Sequence, residues 1–224
     1  MRDAALVFTG GTRVGSILDL LLKERIVAIV RGLEGEAADR AAEALIAGGI
    51  RLVEVTMNTP GALRTIAGWR EKFDGRAAIG AGTVLDLRMA KEAAAAGATY
   101  LISPNLDEDV IAFGAERGIS VWPGVMTPTE IVRAWKAGAE AVKVFPMASL
   151  GVEYLKEIRA PLDHIPMIAT GGVDLTTIRS YFEAGAAAVG MGSKLLNREW
   201  IKAGEFGKLT DNARRYVEIV RSLA

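Results

Sequence analysis

One pattern of small and apolar residues recurs along this 224-residue chain and limits the folds that it can adopt. A segment with helical periodicity ends in glycine, a few residues follow, and a short apolar run comes next. The clearest copies are "IAGGIRLVEVT" (46–56), "AAGATYLIS" (95–103), "AERGISVWP" (115–123), "KAGAEAVKVF" (136–145) and "EAGAAAVGMG" (183–192). Glycine after the last helical turn adopts the left-handed conformation that leads a chain out of a helix. The pattern therefore predicts alternating helices and strands, and it lacks the fixed-period consensus of a solenoid.

Eight strands and the helices between them follow from this pattern. The predicted strands are 26–31, 52–56, 77–83, 99–103, 119–123, 141–145, 166–170 and 187–192. The predicted helices between the strands are 36–47, 61–72, 86–96, 107–117, 127–137, 151–158 and 174–184. A further helix is predicted before the first strand, over about 14–25, and another after the last strand, near 208–222. Continuous apolar strands are typical of a parallel sheet covered on both faces.

Eight such units predict an α/β fold that closes into a (β/α)8 TIM barrel, a single domain over residues 1–224 with an extra N-terminal helix. The alternative is an open doubly wound sheet. That fold usually carries a glycine-rich dinucleotide turn after an early strand, and none of the required form follows 26–31.

Composition and charge limit the classes of function. The formal net charge is zero and there is no polybasic run, so neither nucleic acid nor an anionic membrane is an expected partner. The absence of cysteine excludes disulfides, thiolate metal sites and thiol nucleophiles. The only histidine, His164, lies in a predicted loop before a strand and is interpreted as structural, so no metal and no cofactor is expected. The lack of a signal-like or membrane-spanning segment favours a cytoplasmic protein.

Two charged residues stand inside predicted strands, and they are the first candidates for catalysis. Lys143 is the only lysine in a predicted strand and Glu54 the only carboxylate. A buried lysine with a lowered pKa is suited to form a Schiff base, and a partly buried glutamate with a raised pKa is suited to general acid–base catalysis. The structural alternatives are a lysine that extends its ammonium to water and a salt bridge between the two residues.

Further polar groups stand where predicted strands end, the edge at which (β/α)8 barrels build their sites. Arg31 ends the first strand and suits a carboxylate or phosphate, or a salt bridge to Glu54. Thr83 closes "GAGT" and offers a hydroxyl group. "TGG" (170–172) and "GMGS" (190–193) follow the last two strands, where backbone amides often bind phosphate. The alternative is that these glycines only form tight turns.

The motifs "VEVT", "GAGTVL", "SPN", "WPGVMTPTE", "KVFP", "TGGV" and "GMGS" occur in an order that resembles the 2-keto-3-deoxy-6-phosphogluconate (KDPG) / 4-hydroxy-2-oxoglutarate (KHG) aldolases. The resemblance covers about residues 14–220. It implies a class I aldolase in which Lys143 forms the Schiff base and Glu54 transfers protons. It also implies a homotrimer that needs no metal and serves the Entner–Doudoroff pathway.

The resemblance further implies which residues bind the substrate, a 2-keto acid that is expected to be phosphorylated. Arg31 and Thr83 would hold its carboxylate end, and Phe145 would lie beside it. The remaining substrate-binding residues implied by the motifs are Pro104, Thr170, Gly171, Gly172, Gly192 and Ser193. One departure concerns specificity: Asn58 stands where many members carry an arginine that contacts the anionic substrate, and 6-phosphogalactonate-type relatives also lack that arginine.

The predicted reaction is cleavage of KDPG to pyruvate and glyceraldehyde 3-phosphate, of KHG to pyruvate and glyoxylate, or of both. One alternative is a 2-keto-3-deoxy-6-phosphogalactonate aldolase. Another is a (β/α)8 phosphosugar isomerase or epimerase that shares the phosphate loops but forms no imine. A third is a non-catalytic assembly scaffold, since several apolar helix residues could serve either packing or subunit contacts, namely Trp69, Met89, Phe113 and Trp135.

Overall fold

Parallel strands joined by helices form the body of the structure, a computed structural model that describes residues 7–9 and 12–223. The strands are β1 (Val7–Thr9), β2 (Thr12–Val14), β3 (Ile26–Val30), β4 (Leu52–Thr56), β5 (Ala78–Gly82), β6 (Tyr100–Ile102), β7 (Ser120–Trp122), β8 (Gly124–Val125), β9 (Val142–Val144), β10 (Met167–Thr170) and β11 (Ala188–Met191). The helices are α1 (Ile17–Glu24), α2 (Gly35–Ala47), α3 (Ala62–Lys72), α4 (Leu87–Ala95), α5 (Glu108–Arg117), α6 (Pro128–Lys136), α7 (Met147–Arg159), α8 (Ile178–Glu183), α9 (Arg198–Lys202) and α10 (Phe206–Arg221).

The nine strands from β3 to β11 form one parallel sheet that closes on itself. Their order is β7-β6-β5-β4-β3-β11-β10-β9-β8, and the two strands at its ends are consecutive in the chain. Only Pro123 separates them. Proline has no N–H to donate to a strand ladder, so the ladder breaks there, although the Pro123 carbonyl still accepts from the Lys143 amide at 2.8 Å. The prediction of a (β/α)8 barrel is therefore confirmed, with its fifth strand divided in two.

The interior of the barrel is filled from below by α1, the predicted N-terminal helix. Ile17, Leu20 and Leu21 of α1 pack into a cluster of inward-facing strand residues, which are Val27, Leu52, Ala78, Tyr100, Ile102, Trp122, Ala141, Ile168 and Ala188. A second and larger cluster lies between the outer face of the barrel and the surrounding helices. This packing leaves the opposite end, where the strands have their carboxyl ends, for the loops that follow them.

A few elements differ from the sequence prediction. The short antiparallel pair β1–β2 and the helix α9 were not predicted. Helix α7 begins four residues before the predicted 151–158 and is interrupted at Gly151, whose φ of 80° is left-handed.

The predicted domain limits of 1–224 stay a prediction, because residues 1–6, 10–11 and 224 lie outside the described part of the chain. Within that part, no helix is both long and apolar enough to cross a membrane.

Candidate active site

A cleft of about 280 Å³ opens at the carboxyl ends of β3, β9, β10 and β11. Eight of the eleven predicted site residues line it, namely Arg31, Lys143, Phe145, Thr170, Gly171, Gly172, Gly192 and Ser193. These residues are separated by up to 162 positions in the sequence, and the closure of the barrel brings them together. The cleft lies at the end of the barrel where this fold carries its active sites.

Lys143 stands at the middle of β9 and forms part of the floor of this cleft. Its residue is only 4% exposed, and its Nζ lies 5.1 Å from the ring centroid of Phe145. Burial lowers the pKa of the Lys143 amine, because the charged form loses hydration; the Arg31 charge lowers it further and the Glu54 charge opposes both. The neutral amine, which is the nucleophilic form, is therefore more populated than in an exposed lysine.

Glu54 lies beneath the cleft, in the interior of the barrel. It is 1% exposed and shares with Lys143 and Thr170 the lining of a void too small for a water molecule. Burial raises the pKa of the Glu54 carboxyl group, and the charges of Lys143 and Arg31 partly offset this. Within residues 7–9 and 12–223, neither Glu54 oxygen has a hydrogen-bond partner and no ion pair within 4.0 Å joins Glu54 to either cation. The salt-bridge alternatives are therefore wrong for this structure.

The glycine loops that follow β10 and β11 line the same cleft as Arg31. Gly171 and Gly172 adopt left-handed φ values of 97° and 76°. A Cβ at Gly172 would lie 2.9 Å from the Cα of Ala148, so the backbone there approaches α7 more closely than a side chain would permit. Gly192 and Ser193 follow β11 and also line the cleft. Backbone amides in such glycine turns are suited to bind an anion.

The model of the KDPG and KHG aldolase family matches residues 17–212, which include the whole barrel and this cleft. The chain belongs to the KDPG and KHG aldolase family. It is 33% identical over 206 residues to the 2-dehydro-3-deoxy-phosphogluconate aldolase of Treponema pallidum (strain Nichols), covering 92% of this chain and 98% of that protein. It is 34% identical over 171 residues to the 2-dehydro-3-deoxy-6-phosphogalactonate aldolase of Escherichia coli (strain K12), covering 76% of this chain and 83% of that protein.

A solved structure of the family has the same fold. The KDPG aldolase of Legionella pneumophila, with pyruvate captured at low pH as a covalent carbinolamine intermediate, superposes with a TM-score of 0.81. The two sequences are 30% identical, and the match covers 88% of this chain and 95% of that one. The predictions that the chain belongs to this family, has its fold and is an aldolase, which is a carbon–carbon lyase, are thereby confirmed.

Two predicted residues of this family member lie on the rim but outside the cleft that Lys143 lines. Thr83 directly follows β5, and its φ of 59° is uncommon for a β-branched residue. Pro104 lines a neighbouring cleft of about 760 Å³, which shares Phe145 with the first. The roles of both residues in substrate binding stay predictions, and Phe145, which borders both clefts, connects the two parts of the rim.

Two cations of the cleft were not predicted. Lys194 directly follows the "GMGS" motif, which could have drawn attention to it. Arg198 begins the unpredicted α9, and its Nη2 donates to the Arg31 carbonyl at 3.4 Å. No sequence signal placed Arg198 beside Arg31, because the two are 167 residues apart.

Two further residues singled out in the sequence, Asn58 and His164, lie in exposed loops that line neither cleft. Asn58 is exposed in the loop after β4. Thr59 fixes that loop to the one after β3, since its Oγ1 accepts from the Gly32 amide at 2.9 Å. His164 is exposed before β10, outside the residues that line the cleft, and its ring packs edge-on against Trp135 at 5.8 Å between centroids.

Proposed function

We propose that this family member is a class I aldolase in which Lys143 forms a Schiff base with the keto group of a 2-keto-3-deoxy acid. The observation that carries the proposal is the pair of buried titratable groups: Lys143 reaches the floor of the cleft, and Glu54 lies directly beneath it. Burial lowers the pKa of the Lys143 amine and raises the pKa of the Glu54 carboxyl group, so the nucleophilic amine and the proton-donating carboxyl are each more populated than in exposed side chains.

The reaction follows from these positions. The Lys143 amine attacks the C2 keto carbon and Glu54, through a water molecule, supplies a proton to the carbinolamine hydroxyl, which leaves as water. The resulting iminium draws the electrons of the C3–C4 bond to nitrogen, while the C4 hydroxyl gives its proton to the Glu54 carboxylate through water and becomes the aldehyde. The enamine takes a proton at C3 from the Glu54 side, and water hydrolyses the new imine to pyruvate and free Lys143.

The remaining residues of the cleft hold the two anionic ends of the substrate. Arg31, a permanent cation on the rim, is assigned to the carboxylate beside the keto group. The amides of Gly171, Gly172 and the Gly192–Ser193 turn are assigned to the phosphate. Phe145 packs against the carbon chain, and its ring lies near the Lys143 amine on the same wall. Thr83 and Pro104 are assigned to the far side of the rim.

KDPG is the first candidate substrate, with KHG as a second that the same machinery could cleave. A specific observation favours a third, 2-keto-3-deoxy-6-phosphogalactonate: Asn58 stands where many relatives place an arginine, and relatives named for either sugar acid are about equally identical to this chain. Pyruvate release should be compared across gluconate-type and galactonate-type acids, each with and without phosphate. The preferred substrate is the one with the highest kcat/KM.

Trapping the imine tests the mechanism directly. Borohydride reduction in the presence of pyruvate should leave one three-carbon adduct, and peptide mapping should locate it on Lys143. The variant Lys143→Met should lose both the adduct and turnover. An adduct on another lysine contradicts the assigned nucleophile, and residual turnover in that variant would favour an isomerase-like or other imine-free activity.

The homotrimer and the cytoplasmic location are further parts of the proposal. Two exposed apolar side chains in loops at the rim, Leu85 and Met126, support burial against other copies of the chain. Light scattering should give three times the mass of one chain, and Met126→Glu should lower it. The absence of cysteine supports a reducing compartment, which cell fractionation tests.

A further inference from the structure

Four buried side-chain atoms lack a hydrogen-bond partner in the described part of the chain, and all of them lie inside the barrel. They are both carboxylate oxygens of Glu54, the hydroxyl of Tyr100 and the indole Nε1 of Trp122. Tyr100 and Trp122 are fully buried. Buried polar groups of native proteins are nearly always hydrogen-bonded to protein or to ordered water. Two donors and one acceptor without partners therefore lie in the same interior, and each could satisfy the other.

The register of the strands places Tyr100 level with Glu54. Glu54 on β4 pairs with Gly80 on β5, and the pairing of Ala81 with Leu101 sets Gly80 beside Tyr100 on β6. Two strand spacings, roughly 10 Å, separate the backbones of Glu54 and Tyr100. The residue between them is glycine, and a Cβ there would lie 2.3 Å from the Tyr100 ring. The ring therefore occupies the space above Gly80, toward the strand that carries Glu54.

Trp122 secures this arrangement from the other side. Its ring stacks on Tyr100 with 4.8 Å between centroids and an angle of 23° between planes. It pairs in register with Ile102, which lines the same small void as Glu54. The indole and the phenol are therefore held as one rigid aromatic pair, and each has a free donor in the barrel interior.

We propose that Tyr100 is a positioning residue for Glu54: the Tyr100 hydroxyl group donates to the carboxylate when the Glu54 side chain turns toward it, and the Trp122 N–H is a second donor. The charge of Glu54 is near enough to raise the pKa of the Tyr100 hydroxyl further than burial alone, in agreement with this placement. The other charges that act on Glu54 are Lys143 on β9 and Arg31 after β3.

This inference rests on the proposed role of Glu54 in proton transfer, and it makes a separate prediction. A donor to a carboxylate favours the ionised form, so Tyr100→Phe should raise the pKa of Glu54. The measurement is exchange of the pyruvate methyl protons in D₂O across pH. We expect the acidic midpoint of the exchange rate to rise by about one pH unit, and the rate at pH values below the midpoint to fall about tenfold. Trp122→Phe keeps an aromatic stack but removes the N–H, and should shift the midpoint in the same direction.

Tyr216→Phe is the matched control, because it also removes a buried phenolic hydroxyl but lies on α10, outside the barrel. It should leave the midpoint unchanged. Thermal unfolding gives a second readout: if the Tyr100 hydroxyl were merely unpaired, its removal would raise the melting temperature, whereas we expect no rise. An unchanged midpoint in Tyr100→Phe, or a higher melting temperature, overturns the inference while borohydride still traps pyruvate on Lys143. Failure to trap pyruvate in the unaltered protein instead overturns the proposed function.

Discussion

The Glu54 carboxylate lies directly against the backbone of Gly82 on the neighbouring strand: a Cβ at Gly82 would sit 2.3 Å from Oε1. Any other residue at position 82 would displace the carboxylate. The two glycines of the "GAG" run in β5 therefore leave space in the barrel interior: Gly80 for the Tyr100 ring and Gly82 for the Glu54 carboxylate. The position of the Glu54 carboxylate therefore depends on the absence of a side chain at Gly82.

Gly82→Ala should separate proton transfer from imine formation. The added methyl group displaces Glu54 but leaves Lys143 on its own strand, so we expect pyruvate proton exchange to fall on the order of 100-fold while the adduct still forms. Overpacking should also cost about 1–3 kcal/mol of unfolding free energy. Gly68→Ala on α3 is the control, because nothing lies within 4 Å of its Cβ position. Exchange at the native rate in Gly82→Ala would contradict the assignment of Glu54.

Replacing both buried titratable groups should stabilise the protein. Glu54 and Lys143 each lose hydration, and no ion pair within 4.0 Å between these two described residues offsets the loss. Removing one alone leaves the other without its compensating charge, so the double variant Glu54→Gln/Lys143→Met is the informative one. We expect its unfolding free energy in urea at pH 7 to rise by about 1–4 kcal/mol as activity is lost. A lower urea midpoint would mean that the pair stabilises the fold.

The pH dependence of adduct formation should report the environment of Lys143. The lowered pKa means that the amine loses its proton at a lower pH than an ordinary lysine, so trapping with pyruvate and cyanoborohydride should reach its plateau below about pH 10.4. Arg31→Met removes a charge that lowers this pKa and should move the midpoint up. Glu54→Gln removes a charge that raises it and should move the midpoint down. Shifts in the opposite directions would show that these charges do not act on Lys143.

Gly172→Ala should affect phosphorylated substrates selectively. The left-handed φ of 76° and the contact with Ala148 mean that alanine must shift this turn, and with it the amides assigned to phosphate. We expect kcat/KM to fall about tenfold more for a phosphorylated acid than for its unphosphorylated counterpart. Gly118→Ala matches the backbone strain, with a φ of 66°, at the end of α5 and with nothing near its Cβ. An equal loss on both substrates would remove Gly172 from the phosphate site.

Much of the fold could be predicted because its signals are local. The glycine that ends each helix and the apolar run after it depend on backbone conformation and burial within a few residues, and they predicted the barrel with eight strands, of which the fifth is divided in two in the structure. The isolated charges Lys143 and Glu54 were conspicuous for the same reason, since a strand buried on both faces rarely carries a charge. Their strand positions, together with the motifs around them, are sufficient to predict the family from the sequence.

The tertiary structure decided how those residues meet. Only the strand register shows that Gly80 and Gly82 make room for Tyr100 and Glu54. Only the closed barrel shows that Glu54 is not paired with Lys143 and that Arg198 lies beside Arg31. A sequence pattern records the preference of each segment for its own conformation, whereas contacts across a barrel depend on registers and side-chain volumes from strands far apart in the chain. The residues of the candidate site could therefore be predicted from the sequence, and their geometry could not.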